Sequence, residues 1–217
     1  MTPTLHQTPG QIFRVGVGQT DADTGRRLGA LEQEVRACRV CEPHLPLGAR
    51  PLIQVSPMSR ILIASQAPGT KAHIAGKSFY DPSGNRLRTW LDLPEEVFYD
   101  ASRVAILPMG LCYPGRLPNG GDKPPRPECA PLWRRRILSL MPNLRLILLV
   151  GSYSQNYHLG RGSVTDRVRN FRQYLPEYFP LPHPSWRTGV WERKAPWFQE
   201  DVIPALRERM HTLMAEP

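Results

Sequence analysis

Three short segments of this chain set reactive side chains beside proline and glycine. They are Ser65-Gln66-Ala67-Pro68-Gly69, Leu111-Cys112-Tyr113-Pro114-Gly115-Arg116 and His183-Pro184-Ser185-Trp186-Arg187. A Pro-Gly turn lets main chain approach a ligand closely, because glycine has no Cβ to hold it off. Histidine donates or accepts a proton near neutral pH. A fourth segment, Phe79-Tyr80-Asp81-Pro82-Ser83-Gly84, adds an aromatic ring and a carboxylate. Read as structure alone, it is a turn whose Ser83 caps a helix starting at Asn85. His73, just upstream, is a further polar candidate, with a solvated loop histidine as the plainer reading.

The four cysteines form a second group. Cys38 and Cys41 make a C-x2-C pair, and 16 residues separate Cys112 from Cys129. The N-terminal MTPTLHQTPGQIF lacks the charged-then-apolar layout of a secretory signal, so the cytoplasm is the expected compartment. There cysteines read as metal ligands or free thiols before disulfides. Four thiolates suit a [4Fe–4S] cluster or tetrahedral zinc, and spacing alone does not separate the two. His44 is a weaker substitute ligand.

The elements that must position these residues follow from apolar runs. Arg60–Ala64, Val104–Leu107, Leu146–Val150 and Tyr178–Leu181 read as buried strands. Helical spacing marks Leu28, Leu31 and Val35, then Asn85–Leu91, Pro131–Met141, Ser152–Leu159, Val164–Tyr174 and Trp197–Met214. Strands alternating with helices predict an α/β fold with a parallel sheet covered on both faces. Pro180 demotes its strand to an edge. Ligands of such sheets bind beyond the strands' carboxyl ends, and the three Pro-Gly and His-Pro segments all follow strands. Residues 1–25 read as a loose arm and 26–217 as one domain without repeats.

The 217 residues carry a net charge of +9, with 28 Lys and Arg against 19 Asp and Glu. Arginine dominates the basic set, and its planar fork matches phosphate. This favours a polyanionic partner, although an Arg-rich composition alone explains it equally well. The longest apolar runs are far too short to span a membrane.

Gln66-Ala67-Pro68-Gly69 after the first strand, together with His183-Pro184-Ser185 after the last, resembles the paired signature motifs of the uracil-DNA glycosylases. The resemblance covers roughly residues 30–210. It is nearest to the iron–sulfur branch called family four, which also has alanine where the best-studied branch has a water-activating aspartate. That family usually has glutamate at the place of Gln66. The resemblance implies a three-layer α/β/α sandwich with a central four-stranded parallel sheet. It also implies a monomeric DNA-repair hydrolase that flips a damaged base out of the stack and cuts its N-glycosidic bond.

By the same resemblance, His183 is the hydrogen-bond donor to the leaving base and Asp81, matching an aspartate of family five, positions the water. Phe79 stacks on the base, while Gln66, Ala67, Pro68 and Gly69 lie along its edge. Ser185, Trp186 and Arg187 form the DNA-inserting loop, a buried structural tryptophan being the alternative. Cys38, Cys41, Cys112 and Cys129 hold a [4Fe–4S] cluster, with zinc as the alternative. Where family four reads the base with asparagine this chain has Pro108, so Asn85, another group or main chain must read it. Hypoxanthine or xanthine are alternative substrates for the same reason. A DNA-damage-binding module with little catalysis is a rival of another class. A metal-bearing RNA-binding protein is a third, although it leaves His183-Pro184-Ser185 unexplained.

Overall fold

The computed structural model describes residues 22–118 and 120–215. Its centre is a parallel sheet of β1 (Ile61–Ala64), β2 (Val104–Ile106), β3 (Leu146–Val150) and β4 (Tyr178–Leu181), ordered β2-β1-β3-β4. Ile61 is level with both Val104 and Leu146, and Ile147 is level with Tyr178. Pro180 falls on an edge strand, as its missing N–H requires. At the opposite edge, Gln54 covers β2 by exchanging both backbone hydrogen bonds with Ile106, at 3.0 and 2.7 Å.

The helices are α1 (Ala22–Arg36), α2 (Thr70–Ala75), α3 (Pro82–Leu91), α4 (Glu95–Phe98), α5 (Cys129–Leu138), α6 (Ser152–Leu159), α7 (Val164–Arg169), α8 (Thr188–Lys194) and α9 (Ile203–Ala215). Successive strand residues point to opposite faces, and the strands are buried throughout. Ile61, Ile63, Leu148 and Phe179 therefore join one core, with Leu87 and Trp90 of α3 and Leu206 and Met210 of α9. Leu62, Ala64, Leu149 and Tyr178 join the other, with Leu28, Leu31 and Val35 of α1 and Ile137 of α5. These are the three layers of an α/β/α sandwich.

Several details differ from the sequence reading. Most of the expected arm, residues 1–21, lies outside the described residues, while 22–25 form the first turn of α1. The Val164–Tyr174 helix stops at Asn170, and a 3₁₀ turn, Phe171–Tyr174, follows. The last helix opens with a π turn, Phe198–Val202, just before Pro204. Proline has no N–H to close the usual bond four residues back, which accounts for the wider turn. Helix α3 begins at Pro82 and is capped by Asp81 rather than Ser83. Among the described residues, no helix is long and apolar enough to cross a membrane.

One buried cation bears on the rim where the strands end. Arg134 of α5 is buried, and its Nη1 donates to the Leu107 carbonyl at 2.9 Å, fixing the chain where it leaves β2. Burial lowers its pKa to about 10. His158 of α6 lies beside Tyr178, with ring centroids 5.4 Å apart, and its Nε2 is buried without a hydrogen-bond partner among the described residues. Burial, helped by the Arg134 charge, pushes the His158 pKa down to about 2.

The folded pKa lies below that of the unfolded chain, so acid favours unfolding. The contribution of His158 is intact above about pH 6.5 and declines below it, by roughly 1.4 kcal/mol per pH unit. Between pH 7.5 and pH 5, urea unfolding should therefore show a loss of about 2 kcal/mol from this residue. His158→Phe should lose that much less stability over the same interval. Equal pH sensitivity in both proteins would rule out a buried neutral His158.

Candidate active site

A cavity of about 70 Å³ opens beyond the carboxyl ends of the strands. The chain leaving β1 lines it with Ser65, Ala67, Pro68 and Gly69; that leaving β2 supplies Pro108, and that leaving β4 supplies His183. Gly151, after β3, adopts φ +83°, and a Cβ there would stand 3.3 Å from the His183 Cβ. Glycine is thus needed both for its backbone and for the space His183 occupies. The segment between α2 and α3 adds Ser78, Phe79, Asp81 and Ser83, and the loop before α5 adds Asp122.

The Phe79–Gly84 segment is bent hard. Phe79 has φ 59°, a left-handed conformation that costs a non-glycine residue free energy and tends to occur at functional sites. Its ring is buried edge-on to Phe98, with centroids 6.2 Å apart. The bend presses the Phe79 carbonyl onto Gly84, where a Cβ would lie 1.7 Å from the oxygen. The Gly84 N–H donates to Asp81 Oδ1 at 2.9 Å. One oxygen of Asp81 therefore holds the helix cap. The other, Oδ2, faces Gly69, 3.8 Å from where its Cβ would be. Asp81 also lines an open groove of about 380 Å³ with Lys71, Tyr80 and Asn85, and so stands between the cavity and solvent.

Burial holds the His183 imidazole below its ordinary pKa range, and the Asp81 carboxylate draws it part of the way back. At neutral pH the ring is thus an uncharged donor. Its main chain is pinned, because the Ser185 N–H donates to the His183 carbonyl at 2.8 Å and the Thr188 hydroxyl donates to the same oxygen. Asp122 Oδ2 also approaches Gly69, 3.4 Å from a Cβ there. Desolvation lifts the Asp122 pKa, the Arg116 charge lowers it, and the Asp81 carboxylate raises it again. Ser78 is buried, and its Oγ has no hydrogen-bond partner among the described residues. A buried hydroxyl left in that state costs about 1–3 kcal/mol.

Other residues singled out in the sequence lie outside the cavity. Gln66 turns away, its Nε2 donating to the Lys123 carbonyl at 3.1 Å. Asn85 accepts from Arg88 at 2.8 Å in the outer groove. His73 is buried on α2, its ring 6.1 Å from that of Tyr113. Ser185 sits at the base of the loop after β4, where its carbonyl accepts from Arg86 at 3.1 Å. Trp186 at the tip is 77% exposed, which removes the buried structural alternative. The Arg187 guanidinium lies 5.3 Å from the Trp186 ring and packs by Gly121. Sequence reasoning passed over Asp122, Ser78 and the packing role of Gly84. A larger groove, about 530 Å³, is walled by prolines with His44, Lys123 and Arg126. It holds no carboxylate, whereas the smaller cavity brings two carboxyl groups together with a histidine.

Cys38, Cys41, Cys112 and Cys129 line a separate cavity of about 20 Å³, walled by Leu45, Leu111 and Trp133. The Leu111 N–H donates to Cys129 Sγ at 3.3 Å. Burial raises the thiol pKa of Cys112 to about 11 and of Cys129 to about 12, and it raises that of Cys41 as well. Among the described residues, no three histidine, cysteine or acidic side chains converge closely enough to hold a metal ion. His44 faces the proline groove instead.

A family model for the uracil DNA glycosylase superfamily matches residues 53–207. Among solved structures, a candidate uracil DNA glycosylase from Methanosarcina acetivorans, determined by solution NMR, is 16% identical. The match covers 74% of this chain and 97% of that one, with a TM-score of 0.43. That likeness is too loose to bear on residue roles.

The contact between Gly84 and the Phe79 carbonyl leaves no room for a methyl group. Gly84→Ala should lower stability by roughly 3 kcal/mol, at the high end for a single substitution, and should displace Phe79 from the cavity. Thermal unfolding and the intensity of the aromatic circular dichroism bands report the two effects. A variant with the parent's melting temperature would show that the bend is not held by this packing.

Proposed function

The chain belongs to the uracil DNA glycosylase superfamily, and from that premise we propose that it hydrolyses the N-glycosidic bond of uracil, or of a related deaminated base, in DNA. The observation that carries this reading is the convergence of Phe79, Asp81 and His183 on one small cavity at the strand ends. A base in duplex DNA cannot reach such a cavity, so it must leave the stack. Trp186, exposed at the loop tip, enters the gap, and Arg187 meets the phosphate backbone. All these groups come from one chain, so a monomer suffices. The four free cysteines suit the cytoplasm.

Within the cavity the base stacks on Phe79, a contact worth about 1–3 kcal/mol. As the C1′–N bond lengthens, positive charge grows on the sugar and negative charge on the base. The uncharged His183 donates a hydrogen bond to the base oxygen, the kind of preorganised donor that stabilises a developing anion. Asp81, between the cavity and the open groove, orients a water and offsets the sugar's charge. The water oxygen bonds to C1′, its proton passes to Asp81, and the base departs with the bonding pair. Ala67 has no group for this work. Pro108 on the cavity wall offers a base no donor, which favours hypoxanthine or xanthine as further substrates.

The four cysteines are proposed to hold a [4Fe–4S] cluster. Sulfur donors from three chain segments line one apolar cavity, and one sulfur already accepts a backbone N–H. A single zinc needs all four sulfurs within about 2.3 Å of one ion. A cluster takes each thiolate at a different iron, so the sulfurs need not converge on a point. When bound, the group would tie the Cys38–Cys41 loop to the Cys112–Cys129 segment.

Single-turnover cleavage of a uracil-bearing single strand tests the mechanism. His183→Ala should slow it by at least ~10²-fold with little change in DNA affinity. Asp81→Asn keeps an oxygen for the Gly84 cap, so it should fold normally yet cleave roughly 10²–10⁴-fold more slowly. His73→Ala should cleave nearly as the parent does. A dead His73 variant beside an unimpaired Asp81→Asn would reverse the assignment, and a parent inert on uracil, hypoxanthine and xanthine would sink the reading.

Cluster content is read separately, by iron and acid-labile sulfide in anaerobically purified protein. Cys38→Ser and Cys129→Ser should each lower both and reduce thermal stability. Parent protein without iron and sulfide overturns the cluster, and stoichiometric zinc in its place selects the alternative.

A further inference from the structure

We propose that Asp122 reads the everted base, its carboxyl group pairing with a ring N–H and the carbonyl next to it. This rests on the glycosylase reading above and adds the residue that selects the substrate. The case begins by elimination among the polar groups. Pro108 carries no donor, Gln66 is tied to the Lys123 carbonyl and Asn85 is tied to Arg88 in the outer groove. Asp81 and His183 serve the sugar and the leaving oxygen. Of the longer polar side chains on the cavity, Asp122 remains.

Its placement fits the task. Asp122 Oδ2 lies against Gly69, as Asp81 Oδ2 does, beside the Ala67-Pro68-Gly69 turn proposed to meet the base edge. The residue is held by a bridge between Arg116 and Asp122, by the Lys123 N–H donating to the Gly115 carbonyl at 2.8 Å, and by the Gln66–Lys123 contact. Arg187 packs on the preceding Gly121, so the loop that meets the DNA touches the loop that carries Asp122.

Pairing with N–H and C=O together requires one carboxyl oxygen to accept and the other to carry a proton and donate. The groups facing Asp122 bear on that proton. Desolvation by its neighbours favours it, Arg116 opposes it, and Asp81 favours it. His183 lines the same cavity, Lys123 follows Asp122 on its own loop, and Arg187 packs by Gly121 from the loop after β4. A base filling the cavity removes more water and disfavours the anion further. Uracil, hypoxanthine and xanthine all present a ring N–H beside a carbonyl. An ionised Asp122 would instead place negative charge against that carbonyl.

The experiment compares parent, Asp122→Asn and Asp122→Ala on a single-stranded oligonucleotide bearing uracil, from pH 5 to pH 9. Single-turnover cleavage by the parent should fall about tenfold per pH unit on the alkaline side. Asp122→Asn, which pairs without needing a proton, should be flat there and overtake the parent. Asp122→Ala should be at least tenfold slower throughout. Binding to uracil-bearing DNA over the same strand with a tetrahydrofuran abasic site is measured in parallel. The parent should prefer uracil and Asp122→Ala should lose the preference, a readout that survives even if the protein does not cleave. An alanine variant with the parent's rate and preference, or an asparagine variant with the parent's alkaline fall, overturns the proposal while leaving the glycosylase reading intact. A parent without cleavage overturns that reading, and the uracil preference then decides the role of Asp122 alone.

Discussion

A parallel sheet buried on both faces sends every strand's carboxyl end to the same side, and the rest of this molecule follows from that constraint. No strand can return by a hairpin, so each leaves the sheet at one rim before a helix carries the chain back. At that rim the chain is free of the sheet's hydrogen-bond ladder, and its bonding groups are available for other work. β1 delivers the Ala67-Pro68-Gly69 turn, β2 delivers Pro108, β4 delivers His183, and β3 delivers the glycine that leaves His183 its space. Arg134 reinforces the arrangement from below, because the carbonyl it holds belongs to the residue just before Pro108. The cost is a buried cation that adds to the burial keeping His158 neutral.

This is why the sheet was legible from sequence while parts of the site were not. Runs such as Leu146–Val150 are apolar because both faces are covered, and Pro180 marks an edge because it lacks an N–H. Those are local facts with local signatures. Helices α2 and α8 carry weaker ones, since each is six or seven residues long and lies beside a turn. The cap of α3 was misplaced by two residues for a similar reason. Asp81 and Ser83 are both good caps by type, and only the packing of Gly84 on the Phe79 carbonyl decides between them. His183 and Phe79 could be singled out because their motifs are distinctive. Asp122 sits in a stretch of glycine and proline without periodicity, and its importance comes from a contact with Gly69, 53 positions earlier.

The charge distribution has the same two-level character. The chain is strongly basic overall, yet the cavity holds two carboxyl groups and a neutral imidazole. A cationic exterior draws in a polyanion, and it does so at long range without regard to sequence. The carboxyl groups at the cavity do the opposite to phosphate, which on the proposed reading leaves the cavity to an uncharged base. Asp81 and Asp122 flank the same glycine, and the Asp81 charge raises the cost of ionising Asp122. Two carboxyls in one small site tend to divide into one charged and one proton-bearing group. Such a division would suit the two roles proposed for these carboxyls, at the sugar and at the base.

The sulfur-lined cavity and the base cavity are linked by one stretch of chain. Cys112 and Cys129 bracket the loop that carries Arg116, Asp122, Lys123 and Arg126. That loop lies outside the sheet and is secured within itself by a few turns and a bridge. Its far end is anchored in α5, and its near end lies by Leu111, whose N–H meets Cys129. Closing a loop at its ends removes conformational freedom from everything between. A group binding all four thiols would close this loop beside the Cys38–Cys41 segment, and Asp122 would then be held from the sulfur side as well as through Gln66. On the proposed reading, such a group, with no part in the chemistry, would set the precision of base recognition, because a residue on a loop is only as well placed as the loop's fixed ends.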